Sequence, residues 1–219
     1  MGLLNRWASY LTVYGIGSGL LVALEVLVVT SVTTLIWGLI IALLRMSPFK
    51  PLQFLATAYI EIFRGTPLLV QLLVLFAVLP VLIGFFLSPF LTAVLALTLN
   101  TGSYMAENYR SGLQAVPKGQ IEAATALGMS SFTTFRRVIF PLAIRVILPS
   151  FGNIVLGILI TTSFVYLVGL QDMMAKASLI LSVFGDMSGY VVVTIIYVLL
   201  GVILISCNSM LERKLRLPE

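Results

Sequence analysis

The chain has 219 residues, 60% of them hydrophobic and only 10% charged, with a formal net charge of +5 and a mean hydropathy of +1.12. A soluble domain carries about 25% charged residues, so this polypeptide cannot coat itself with polar groups and reads as one membrane domain. The absence of histidine excludes Ser-His-Asp and Cys-His catalysis and His-ligated zinc, and a single cysteine excludes an intrachain disulfide and a thiolate metal cluster.

Residues 1–18 read as an amphipathic lead-in, with Trp7, Tyr10 and Tyr14 placed for a membrane interface. No small-residue cleavage site follows a compact apolar core, so this stretch is not read as a removable signal peptide. A membrane domain is expected over residues 19–210 and a short cytoplasmic tail over 211–219. Spans need about 20 predominantly apolar residues, and five segments qualify. The first runs from Gly19 to Leu44. The second, from Leu52 to Leu87, is too long for one straight helix and is predicted to break at Arg64-Gly65-Thr66-Pro67, where glycine and proline interrupt helical continuity. The third covers Pro89 to Ala106, the fourth Pro141 to Val168 and the fifth Tyr190 to Cys207, whose lone thiol is expected to be buried and inert.

The cations between these spans are unequally shared. One side collects Arg45, Lys50, Arg110, Lys118, Arg136, Arg137, Arg145, Arg213, Lys214 and Arg216, and the other holds Arg6 and Lys176. That bias puts the C-terminus and the loop after the third span in the cytoplasm, with the N-terminus outside. The positive charge is then a topology signal, and no nucleic-acid partner is needed to explain it.

The loop joining the third and fourth spans has a legible local design. Pro117 restarts the chain, Gln120 to Leu127 is predicted as a short helix, and Gly128 stands where a left-handed stop is needed. Ser130 then caps a second short helix leading to Arg136, Arg137 and Pro141. Glu122-Ala123-Ala124, three residues, Gly128, nine residues and Val138-Ile139-Phe140-Pro141 resemble the EAA loop of ABC importer permeases, with valine and phenylalanine in place of the usual isoleucine and leucine. The segment Glu61-Ile62-Phe63-Arg64-Gly65-Thr66-Pro67-Leu68-Leu69-Val70-Gln71 resembles that of the polar amino acid permeases in the same superfamily, which serve histidine, arginine, glutamine and glutamate. The third span, from Leu97 to Glu107, is similar to theirs as well.

The resemblance implies an all-α integral membrane fold of the type I ABC importer permease, with about five transmembrane helices and a broken second helix. It implies a second permease subunit, identical or different, and two ABC ATPase subunits that carry ATP and magnesium. A periplasmic or lipid-anchored binding protein would deliver the amino acid. It makes Glu122, Ala123, Ala124 and Gly128 the coupling knob. This chain has no catalytic motif, no cofactor and no metal site of its own, and it lacks a GxxxxGK[ST] phosphate loop.

Polar groups inside the spans need partners or a pathway. Glu61 and Arg64 are three residues apart and are expected to pair on one helical face, the alternative being that Arg64, Gly65, Thr66 and Pro67 form a gate at the helix break. Asn100, Tyr104 and Glu107 recur at i, i+4, i+7 on the third span, and Asn153, Gly157 and Thr161 at i, i+4, i+8 on the fourth. Facing each other, these stripes would wall a substrate pathway; the plainer reading is a helix-packing seam, with Glu107 paired to Arg110. Relatives often carry charged residues where this chain has Ile154, Ile160 and Thr161. A passive small-solute channel is the alternative function, but it gives the EAA loop no purpose.

Overall fold

A computed structural model describes residues 3–12 and 15–215. Tyr14 and Arg216, read above as an interface residue and a tail cation, lie outside those residues. The helices are α1 (Leu3–Thr12), α2 (Ile16–Arg45), α3 (Lys50–Gly65), α4 (Leu68–Ile83), α5 (Pro89–Gln114), α6 (Lys118–Ala126), α7 (Ser131–Val168), α8 (Met173–Phe184) and α9 (Ser188–Leu215). Three of them, α2, α7 and α9, are long and apolar enough to cross a membrane, and α3 with α4 makes a fourth such unit bent by 106°.

Helix α5 is long enough to span but less apolar, and its Thr92, Thr98, Thr101, Ser103 and Asn108 are buried within the protein. It packs along α2 and also touches α3, α4 and α7. Hydroxyl pairs bind the α2–α5 seam, Thr33 with Thr98 and Thr34 with Thr101, each at 2.6 Å. Trp37 Nε1 donates to Tyr59 Oη at 2.8 Å, and that phenol in turn donates to the Leu99 carbonyl. Gly102 permits this contact, since a Cβ there would stand 2.6 Å from the Trp37 ring. Opposite, α2, α5 and α7 close an apolar core on Val26, Leu97, Ile158 and Leu159.

Helix ends follow the local sequence. Ser88 caps α5 by accepting the Leu91 N–H, with Pro89 at the first helical position. Pro80 and Pro141 remove an N–H from α4 and α7. Each is preceded by a wider turn, in which Leu79 N–H reaches the Val74 carbonyl and Phe140 N–H the Phe135 carbonyl, five residues back.

Four expectations change. The second loop helix is not separate from the fourth span: the chain runs helically from Ser131 through Pro141, because the wide turn absorbs the missing N–H. Met173–Phe184 forms a helix where a connection was expected, capped by Asp172 and ended by Gly185. Tyr10 is buried against α2, α8 and α9 and donates to Asp186, so it serves the core rather than an interface. Cys207 is exposed, because α9 lies at the edge of the bundle.

Candidate functional site

The break between α3 and α4 follows from Pro67. Lacking an N–H, it cannot bond the Phe63 carbonyl four residues back, and two side-chain amides take that acceptor instead. Gln71 Nε2 donates to it at 3.0 Å and Asn100 Nδ2 at 3.0 Å. Gln71 also reaches the Thr66 carbonyl at 3.1 Å and its hydroxyl at 2.8 Å, and Asn100 donates to Gln71 Oε1 at 3.2 Å. Thr66 Oγ1 bonds the Ile62 carbonyl at 2.8 Å. The bend is thus a hydrogen-bonded structure fixed to α5.

The two polar stripes face one another. Asn100, Tyr104 and Glu107 of α5 and Asn153, Gly157 and Thr161 of α7 line a single open cavity of about 550 Å³, with Arg64 at its side. That volume suits a small solute. No side chain approaches a Cβ built at Gly157, so this glycine widens the space. Not every lining group is available to a solute. Both N–H groups of Asn100 serve the helix break, and the Thr161 hydroxyl donates back to the Gly157 carbonyl at 2.9 Å. Asn108, buried beside the cavity, donates to the Ile147 carbonyl at 3.0 Å and leaves its own Oδ1 without a partner.

Glu107 is clamped. Arg110 donates to its Oε2 from Nε at 3.0 Å and from Nη2 at 2.7 Å, and Arg45 pairs with Oε1 from the end of α2. The carboxylate therefore joins α2 to α5 and cannot offer a free charge. The expected Glu61–Arg64 pair does not form. Arg64 stands in the last turn of α3 and turns towards α5, where its guanidinium lies 5.1 Å from the centre of the Tyr104 ring.

At the loop, α6 ends as the sequence required. Gly128 takes φ +75°, its N–H bonding the Thr125 carbonyl at 2.9 Å and Met129 N–H the Ala124 carbonyl at 3.1 Å. Ser130 caps the next helix by accepting the Thr133 N–H. Glu122 and Ala123 are exposed, whereas Ala124 is buried and its small side chain faces the rest of the chain. Beside them, Leu127 is 81% and Phe132 74% exposed, an apolar pair on a short polar loop.

A family model described as the inner membrane component of binding-protein-dependent transport systems matches residues 34–217. The chain belongs to this family. It is 34% identical over 199 residues to the arginine transport system permease protein ArtQ of Bacillus subtilis, covering 90% of this chain and 91% of that one. It is 42% identical over 151 residues to the nopaline transport system permease protein NocM of Agrobacterium fabrum, covering 65% and 63%. A crystal structure of an amino acid ABC transporter with histidines superposes with a TM-score of 0.90 at 35% identity, over 98% of this chain and 99% of that one. The chain is therefore a membrane permease of an ABC importer, with the all-helical fold of that class, and the passive-channel alternative falls away.

Sequence reasoning overlooked three residues of this permease site. Gln71 stood inside the quoted motif but carried no assigned role. Asn108 follows Glu107 directly and turns to a different neighbour. Arg45 was read as a topology charge alone, and its bond to Glu107 spans 62 positions that no local periodicity connects.

Proposed function

We propose that this permease moves a polar amino acid into the cell by alternating access through the α5–α7 cavity, as one half of a permease dimer. Two ABC ATPase subunits, carrying ATP and magnesium, drive it, and a periplasmic or lipid-anchored binding protein supplies the solute. The observation that carries this reading is the convergence of six stripe residues on one cavity beside a stapled helix break. The amino-acid ABC transporters among the relatives agree with it.

Coupling runs through the loop. Glu122 and Ala123, with Leu127 and Phe132, present the surface that enters the ATPase, while Ala124 and Gly128 hold its shape. The loop continues rigidly into α7 through Ser131, so displacement of the knob shifts one cavity wall against α5. Arg64, at the proposed gate it forms with Gly65, Thr66 and Pro67, borders the other side. In a bacterial inner membrane, the cation bias places the N-terminus outside and the loop and C-terminus in the cytoplasm.

The test is reconstitution of the permease with the ATPase and binding protein from adjoining reading frames in proteoliposomes. Uptake of labelled amino acids that requires both partners and ATP supports the proposal. Equal flux without ATP would overturn it.

A further inference from the structure

The charges around the cavity do not balance, and their arrangement bears on what the cavity accepts. Glu107 is saturated by Arg45 and Arg110, leaving no carboxylate in the lining free to meet a cation. Arg64, in contrast, makes neither an ion pair nor a hydrogen bond among the described residues; its only partner is the face of Tyr104. Glu61 shares a side recess with Arg64, Gly65 and Tyr104. Counting it, three guanidiniums (Arg45, Arg64, Arg110) stand against two carboxylates (Glu61, Glu107). The remaining polar lining, including Asn100, Ser150, Asn153 and Thr161, is neutral, and Ile154 is apolar.

We infer that the cavity selects amino acids whose side chains carry no positive charge, seating a carboxylate on Arg64. This rests on the amino-acid reading above and adds the charge class. A planar guanidinium with all its N–H donors unfilled is suited to bidentate binding of a carboxylate. The Tyr104 ring beneath holds it in place and does not consume those donors. A cationic side chain would meet a net positive surround and no free carboxylate in the cavity lining, since Glu61 lies in the side recess and breaking into the Glu107 clamp would uncouple α2 from α5. A neutral or acidic side chain meets no such penalty.

The experiment uses the purified permease–ATPase complex in nanodiscs without binding protein, so that discrimination belongs to the membrane part. Binding of L-glutamate, L-glutamine, L-arginine and L-lysine is measured by calorimetry in the native complex and in Arg64→Gln and Arg64→Lys. The expected glutamate-to-arginine affinity ratio is at least about tenfold. It falls towards one in Arg64→Gln and is largely retained in Arg64→Lys, which also controls for misassembly. Because a second permease half has its own lining, the response to Arg64 substitution assigns the effect to this chain. A ratio near one in the native complex, or one that Arg64→Gln leaves unchanged, would overturn the charge rule and leave the amino-acid site standing. Binding of none of the four, in a complex that still hydrolyses ATP, would overturn both.

Discussion

The Asn100 side-chain amide donates to the Phe63 carbonyl, the acceptor that Pro67 leaves without a backbone donor, and so ties the break of one helix to the middle of another. Gln71 bonds the same carbonyl from the following helix. Two donors on one acceptor predict a non-additive response. Asn100→Ala alone is expected to lower stability by about 0.5–1 kcal/mol, since Gln71 remains, and Asn100→Ala with Gln71→Ala by about 2–3 kcal/mol, since the carbonyl is then orphaned. Thermal unfolding of the detergent-solubilised complex checks this, and strictly additive losses would show that the carbonyl finds another donor.

The Glu107 clamp predicts a functional change more than a loss of fold. Glu107→Gln leaves Arg45 and Arg110 facing each other without their anion. The guanidiniums are 22% and 33% exposed, so the expected cost is about 2 kcal/mol, below that of a fully buried pair. With α2 and α5 less firmly joined, ATPase activity in proteoliposomes is expected to rise in the absence of binding protein. If basal hydrolysis and thermal stability both stay at their native values, the clamp holds neither helix.

Local signals in the sequence were readable wherever the cause lay within a few residues. Gly65 and Pro67 announced the bend, Ser130 its cap, and Gly128 its left-handed turn. The stripes at i, i+4, i+7 were readable because a helix places such residues on one face, and their meeting in a cavity followed from the packing of α5 on α7. What was not readable depended on long-range partners. Glu107 had an obvious neighbour in Arg110 and a hidden one in Arg45. Arg64 had an obvious neighbour in Glu61 and preferred the Tyr104 ring. The burial of Tyr10 depended on α8, a helix too short for span-length hydropathy to reveal.

Gly128 tests the coupling loop. Space around it is open, so a larger residue is penalised by backbone conformation and not by collision. Gly128→Val is expected to cost about 1–2 kcal/mol at φ +75°. Relief of that strain would turn the loop away from its docking orientation. The expected outcome is an assembled complex whose uptake falls about tenfold while ATP hydrolysis persists, with Gly128→Asn milder because asparagine tolerates this region. Native uptake in Gly128→Val would mean the turn does not set coupling.

Orientation is open to direct measurement. Reporter fusions at residue 3 and residue 217 are expected to give an external and a cytoplasmic signal respectively. The reverse pattern would require the knob to face away from any ATPase, and the coupling role of Glu122 would fall with it.

Asp172 gives a pH prediction with a definite sign. It caps α8 by accepting the Ala175 N–H at 2.9 Å, yet its Oδ2 has no hydrogen-bond partner. Helix α2 covers it closely: a Cβ at Gly19 would stand 2.6 Å from the Asp172 carbonyl carbon. Burial pushes the carboxyl up from 3.8 to about 6, against the smaller opposing effect of backbone N–H donors. The folded protein therefore holds this proton more tightly than the unfolded chain, so stability is lost as pH rises from about 4 to about 6 and stays lower above that. The difference is about 3 kcal/mol. Asp172→Asn keeps an oxygen for the cap and removes the buried charge. The native complex is expected to melt at a lower temperature at about pH 7 than at about pH 5, and the variant is expected to lose that difference and melt higher than the native complex at about pH 7. An equal pH response in both would place the titrating group elsewhere, and a variant less stable at about pH 7 would mean that the charged carboxylate is the favoured form in the fold.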